Sequence, residues 1–344
     1  MSALIKRKVS EVKEAVESPT DNDLAFVTRK ILVDSVVSTG STLLDLAISG
    51  KRRRGGGMPG GIVVEMFGPA GSGKTALLAE TCASAQLLGG EIKLLDPEAR
   101  LDKEYARIYD MDITEGNYSR PDTVEDVFKE VLEWNPSDKS KINVIGTDSL
   151  AALSTELEMD KGDKMGMKRA KEFSAGFRKT ARMISNNNWL MLCTNQIRQG
   201  DYGETTPGGL ALAFYSSLRI RIKQNTPIMK EETISSGIKV KKIIGIESTC
   251  TIKKSTVDDP YREASIYILF GYGVDDIRGN LQYMKDMKNL NVYECPDGKT
   301  YKSLNMAIQY VEKSNLQNDL KEQTIDMWEE IESKFNLKRP KKQR

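Results

Sequence analysis

The chain has 344 residues, 39% hydrophobic and 29% charged, with a formal net charge of only +2. That length supports one large core plus a smaller unit, the composition is that of a soluble globular protein, and without an apolar run near 18 residues no membrane span is expected. Histidine is absent and Cys82, Cys193, Cys250 and Cys295 lie far apart, which disfavours a zinc site, excludes a histidine-based nucleophilic triad and leaves the thiols as buried bystanders.

Residues 1–20 are charged and polar and lack the apolar stretch of a secretory signal, which predicts an intracellular, cytoplasmic protein. The first 36 residues read as a separate segment, a charged helix followed by a short apolar piece. Lys51, Arg52, Arg53 and Arg54 form one basic cluster, and Lys338, Arg339, Lys341, Lys342 and Arg344 another. Local clusters of this kind matter more for nucleic-acid contact than the overall sum.

From Gly61 onward, short apolar runs alternate with helical periodicity. Strands are expected at residues 62–67, 92–95, 142–145 and 190–194, and helices at 74–88, 123–134 and 166–186. This rhythm implies right-handed crossovers and a mostly parallel sheet covered on both faces, with ligands at the C-terminal ends of the strands. After Tyr215, runs at 217–222, 243–252 and 264–270 read as strands without intervening helices, an antiparallel extension of the sheet. A Pro-Asp-Gly turn at 296–298 suggests a hairpin within 291–301, and 304–335 reads as mostly helical. The chain thus divides into a segment at 1–36, a core at 37–273 and a small α+β C-terminal subdomain with a basic tail at 274–344.

The chemistry concentrates at strand ends. Gly68, Pro69, Ala70, Gly71, Ser72, Gly73, Lys74 and Thr75 follow an expected strand and open an expected helix, the context that confirms a phosphate-binding loop. Glycines there let backbone N–H groups point at phosphate oxygens, and the helix adds its positive end. Lys74 is placed on the β- and γ-phosphates of ATP, and the Thr75 hydroxyl on Mg²⁺. Asp148 closes another apolar strand as a second Mg²⁺-side group, or as the N-cap of a short helix over 149–153. Glu98, just beyond a third strand, is either the general base of hydrolysis or a solvated loop carboxylate.

The ordered series of segments resembles the bacterial RecA recombinase family. It comprises 38–45 (STGSTLLD), 68–75, 95–107 (LDPEARLDKEYAR), 121–123, 147–153 (TDSLAAL), 161–166, 194–198 (TNQIR), 205–209 (TTPGG), 213–215 and 270–274 (FGYGV). The likeness implies a RecA-type P-loop ATPase core, an N-terminal oligomerisation segment, and Glu98 as the group that activates water. It also implies that Asp102 and Tyr105 lie against adenine. Gln196 would contact the γ-phosphate and signal to a DNA-binding loop. Two loops, at 156–166 and 197–208, would face DNA, with Met165, Lys168, Arg169, Arg198, Tyr202, Gly208 and Gly209 as contacts; on sequence alone the charged helix after the first loop is more often just a solvated face. Lys254 matches one of two lysines that reach a neighbour's ATP. Thr256 stands where the second is expected, and Ala213 replaces a further interface lysine. Residues 51–57 look like an insertion, and the second loop is short. The expected function is ATP-dependent strand exchange by a head-to-tail filament on single- and double-stranded DNA. The alternative is a RecA-fold ring motor or recombination mediator without strand exchange.

Overall fold

The computed structural model describes residues 35–154, 166–200, 203–206, 209–335 and 339. In chain order its elements are β1 (Val36–Val37), α1 (Thr42–Ser49), β2 (Met58–Pro59), β3 (Ile62–Gly68), α2 (Lys74–Leu87), β4 (Ile92–Leu95), α3 (Lys103–Ile108), β5 (Tyr118–Ser119), α4 (Val124–Glu133) and β6 (Val144–Thr147). A 3-10 turn at Leu150–Ala152 precedes α5 (Gly166–Asn186), β7 (Leu190–Gln196), β8 (Arg198–Gly200), β9 (Gly203–Thr205) and α6 (Gly209–Tyr215). Next come β10 (Leu218–Thr233), β11 (Lys239–Ser255), β12 (Glu263–Leu269), β13 (Gly273–Val274), α7 (Asp276–Met287), β14 (Tyr293–Glu294), β15 (Thr300–Tyr301), α8 (Leu304–Lys313) and α9 (Gln317–Lys334).

Nine strands form one sheet in the order β13-β12-β11-β10-β3-β7-β6-β4-β5. From β10 to β5 all neighbours are parallel, and β10 through β13 pair antiparallel. This is the α/β architecture, parallel with an antiparallel extension, that the sequence rhythm predicts.

The parallel central strands are mostly apolar because both faces are covered. Side chains alternate across a strand. Val64 and Met66 of β3 therefore join Leu77, Leu78 and Cys82 of α2 on one face. Val63 joins Val127 and Phe128 of α4 and Phe173 and Phe177 of α5 on the other. Phe128 and Phe177 meet edge to face with centroids 4.9 Å apart. All four cysteines are buried and free, as expected of bystanders.

Several expected boundaries shift for identifiable reasons. Thr123 does not begin α4 but caps it, in a reciprocal capping box with Asp126. Asn143 uses its side chain to accept from Glu91 N at 2.8 Å and to donate to Asp138 O at 2.8 Å, so β6 starts after it. The helical stretch 304–335 breaks into α8 and α9 at Asn315, whose φ is 54°. The Pro-Asp-Gly hairpin forms as expected, with Tyr293 opposite Tyr301 and Gly298 at φ 86°. Strands β10 and β11 run for 16 and 17 residues, well past the ranges 217–222 and 243–252. Their outer halves form an exposed polar ribbon in which no buried face imposes a hydrophobic period. Helices α1 and α3, 8 and 6 residues long, are too short to announce themselves by periodicity.

Two residues of the basic cluster at 51–54 are paired within the chain. Arg54 pairs with Glu322, Asp326 and Glu329 of α9, each at 2.8 Å, and Lys51 with Asp259 at 2.7 Å. Arg262 adds a bond to Glu332 at 2.9 Å and lies over the Trp328 ring. These contacts fasten α9 to the core. Leu281, Met284, Cys295, Ala307, Val311 and Leu320 form an apolar cluster of their own beneath α7, α8 and α9. Residues 1–34, most of the first long loop and all of the basic tail except Arg339 lie outside the described residues.

A Cβ on Gly176 of α5 would meet Phe128 Cδ2 at 2.0 Å. Gly→Ala inside a helix ordinarily gains about 1 kcal/mol, but overpacking a filled core costs about 1–3 kcal/mol. Gly176→Ala should therefore destabilise, seen as a lower urea midpoint. Asp45 carries a pH-dependent expectation. It accepts from Ser38 Oγ at 2.5 Å and from Thr39 N and Oγ1 at 2.8 Å. Burial lifts its carboxyl from 3.8 to about 6, against the pull of those bonds. Its contribution to stability is complete below the unfolded value and is lost as pH rises through about 6, a swing of about 3 kcal/mol. Asp45→Asn should gain stability relative to wild type between about pH 4 and about pH 7; urea titrations at both pH values measure this, and a constant difference would refute the assignment.

Candidate nucleotide site and its link to the second loop

The site opens where β3 ends. Between Gly68 and Lys74 the chain turns through Gly71 at φ 72° and Gly73 at φ 98°, a left-handed region that side chains rarely tolerate. Crowding adds to this: a Cβ on Gly68 would meet Ile222 O at 2.0 Å, and one on Gly73 would meet Ile268 Cδ1 at 2.3 Å. The first turn of α2 leaves backbone N–H groups without intrahelical acceptors, so the turn presents donors and a positive helix end to the same space. Ser72 Oγ is buried with no partner among the described residues. Lys74 folds over the turn, donating to Gly68 O at 3.1 Å and Pro69 O at 2.7 Å. Burial pulls its ammonium below the usual lysine range, while Asp148 and Glu98 pull the other way.

Two carboxylates face this cradle. Asp148 accepts from Thr75 Oγ1 at 2.6 Å with one oxygen and from Thr194 Oγ1 with the other. Burial raises its pKa, and the two hydroxyls lower it. Its N-cap alternative is not realised: Ser149 occupies the cap of the 3-10 turn, with no side-chain capping bond. Glu98 is no solvated loop residue. Its side chain is 10% exposed, and Oε2 lies 2.7 Å from Arg100 Nε. Oε1 accepts from Ser149 Oγ and from Gln196 Nε2, the latter at 3.3 Å.

These groups share one cavity of about 400 Å³ lined by Ala70 to Ala76, Glu98, Arg100, Asp148 and Gln196. Its other wall is aromatic and aliphatic, with Tyr105, Ile108, Tyr109, Ile268 and Phe270. The Tyr105 and Tyr109 rings lie 5.1 Å apart with their hydroxyls 3.0 Å apart. Tyr105 lines the cavity. Asp102 does not line the cavity; it caps α3, accepting from Tyr105 N at 2.7 Å. A cradle that only glycine permits, a buried lysine, and a hydroxyl paired to a carboxylate fit a polyphosphate with Mg²⁺. The apolar wall fits a base.

Gln196 ends β7, and Ile197 N donates to Gly68 O at 3.4 Å. Directly beyond, β8 and β9 pair as a small hairpin, Arg198 opposite Thr205. Of the residues expected to face DNA, Met165, Tyr202 and Gly208 lie outside the described residues. Lys168 sits in the first turn of α5, Arg198 opens β8, and Gly209 opens α6. Arg169 is half-buried, and Lys171, Arg178, Lys179 and Arg182 are exposed along α5. Lys254 Nζ donates to Ala213 O at 2.8 Å and Phe214 O at 2.9 Å, capping α6. Thr194, Ser149, Arg100 and Tyr109 were not among the expected site residues. Thr194 and Ser149 each adjoin or lie near an expected one, which is the signal that was available. Arg100 likewise lies two residues from Glu98, and Tyr109 four from Tyr105, one helical turn on.

Comparison with known proteins agrees with this geometry. The profile of the RecA N-terminal domain matches residues 24–275. The chain is 37% identical over 255 residues to Protein RecA of Thermus aquaticus, covering 72% of this chain and 70% of that protein. It is 34% identical over 300 residues to Protein RecA of Acholeplasma laidlawii, covering 83% and 85%, and 35% identical over 246 residues to that of Symbiobacterium thermophilum, covering 70% and 66%. A matching profile over most of the chain, relatives of this similarity and length, and a phosphate cradle joined to a second loop together establish that the chain belongs to the RecA family.

Proposed function

We propose that this RecA-family recombinase is a DNA-dependent ATPase that performs homologous strand exchange as a helical filament on single-stranded DNA. The observation that carries the reading is Gln196, whose amide reaches Glu98 from the base of the second loop. One residue thereby touches both the hydrolytic carboxylate and the segment expected to meet DNA.

In this reading ATP enters with its base against Tyr105 and Tyr109 and its phosphates in the cradle, where Lys74 leaves the loop carbonyls for the β- and γ-phosphates. Thr75 and Asp148 would hold Mg²⁺, which supplies neutralising charge between those phosphates. Glu98 orients a water molecule and takes its proton as the water oxygen bonds to the γ-phosphorus. The bond from that phosphorus to the β–γ bridging oxygen breaks, and its electron pair leaves with ADP. Gln196 has a hydrogen-bond acceptor on the γ-phosphate only while that phosphate is present, the differential contact a ligand needs to shift a conformational equilibrium.

The wider assignment has support of the same kind. Head-to-tail stacking of subunits through residues 1–36 gives an open, heterologous assembly. The core at 37–273 then carries ATP and both DNA loops, and the separate apolar cluster under α7 to α9 supports a subdomain at 274–344, its basic tail drawn to phosphates of single- or double-stranded DNA. Among the described residues no helix is long and apolar enough to cross a membrane.

Two measurements test the reading. Glu98→Gln should bind ATP normally and hydrolyse it about 10²-fold more slowly or worse, the usual worth of a positioned base; steady-state turnover near wild type would remove Glu98 from that role. Gln196→Ala should bind ATP yet lose most of the ATP-over-ADP preference in affinity for single-stranded DNA, and most of the DNA stimulation of hydrolysis, because coupling between sites is reciprocal. If Gln196 only satisfies strand-end groups, the variant will melt earlier and keep that preference.

A further inference from the structure

Among the described residues, the lining of the nucleotide cavity holds two cations, Lys74 and Arg100, against two carboxylates, Glu98 and Asp148. Lys74 is buried on the floor. Arg100 stands on the opposite rim, its side chain 59% exposed, with Nε 2.7 Å from Glu98 Oε2. The backbone that presents it is tightly held. Ala99 sits at φ 54° and donates to Asp96 O at 3.1 Å. The buried Asp96 carboxylate accepts from Leu101 N at 2.8 Å and from Tyr118 OH at 2.9 Å. Arg100 is thus a long, permanently charged arm on a fixed pivot, with its partner inside the cavity.

The arm's present partner is the group that hydrolysis needs unencumbered. With Nε 2.7 Å from Oε2, the guanidinium stands against one oxygen of that carboxylate, where a water molecule would have to sit. A rim-exposed ion pair is also weakly held, whereas a phosphoryl group offers the same fork more negative charge and several acceptor oxygens. Lys254, a third cation, is committed to the α6 carbonyls. We propose that Arg100 is a catalytic residue supplied by the same subunit: when ATP binds it leaves Glu98 for the γ-phosphate. One movement frees the base and brings positive charge to the negative charge on the oxygens of the transferring phosphoryl group. The proposal rests on the ATPase reading above. During the step Glu98 takes the water proton, the bridging electron pair leaves with ADP, and Arg100 stays protonated throughout. ADP has no γ-phosphate to hold the arm, so Arg100 returns to Glu98.

The test uses the full-length protein with single-stranded DNA, comparing wild type, Lys74→Ala, Arg100→Ala and Arg100→Lys. Arg100→Ala should lower kcat on the order of 10²-fold, less than the 10³–10⁵ of an enclosed arginine finger. Its affinity for a non-hydrolysable ATP analogue should fall about tenfold while affinity for ADP barely changes. Arg100→Lys should recover part of the loss, since it restores the charge without the fork. The exposed position makes misfolding avoidable, and matching thermal melts will confirm it. Unchanged or faster turnover by Arg100→Ala would overturn the proposal and leave Arg100 a mere shield of Glu98. Equal losses of affinity for the analogue and ADP would overturn the γ-phosphate contact. A Lys74→Ala variant that hydrolyses like wild type would instead overturn the ATPase reading, and this proposal with it.

Discussion

The site depends on one buried carboxylate. Asp148 lies between the hydroxyls of Thr75 and Thr194 and so ties together the end of β6, the end of β7 and the start of α2. The parallel register makes this possible, setting Thr147 beside Cys193, Phe67 beside Asn195 and Gly68 beside Gln196. Every group with a chemical part therefore leaves the sheet at the same edge. A slip of one residue in any of these strands would turn its side chains to the opposite face, and the cavity would lose its carboxylate, its glutamine or its turn.

Burial sets the electrostatic character of that edge. Dehydration raises the pKa of Asp148 and lowers that of Lys74, so each is driven toward its neutral form while attraction between them resists. Opposed tendencies of this sort are common where charge must change during a reaction. Around α9 the arrangement differs: the ion pairs of Arg54 are exposed, and salt weakens such contacts. The apolar packing of α7 against its own cluster does not share that sensitivity.

Much of this was legible in the residues. Buried parallel strands must be apolar on both sides, so β3, β4 and β7 could be read from composition alone. The phosphate loop could be read because its glycines are demanded by φ and by crowding rather than by preference. The Glu98 alternatives could not be separated by spacing, since a base and a loop carboxylate have the same spacing; the bonds from Ser149 and Gln196 show only that Glu98 is not solvated. What the basic residues at 51–54 touch was hidden for a different reason. A charge run does not reveal its partners, and those of Arg54 lie more than 260 residues further along the chain. Tyr109 and Arg100 were missed although each lies close in sequence to an expected residue, Tyr109 four after Tyr105 and Arg100 two after Glu98.

The ribbon of β10 and β11 has a consequence of its own. Among the described residues, β10 beyond Arg221 pairs with β11 alone, and β11 short of Gly245 pairs with β10 alone. A two-stranded ribbon is marginal in water, so its outer half is ordered by a few cross-strand pairs, Met229 with Ile243 and Glu231 with Lys241. Its amides should open and close in a local cooperative unit of low free energy, while those of β3 and β7 should be far better protected. Lysines and glutamates along it deter a second chain from pairing with its unpaired edges. The polypeptide thus joins, in one continuous sheet, its most and least persistent hydrogen bonds.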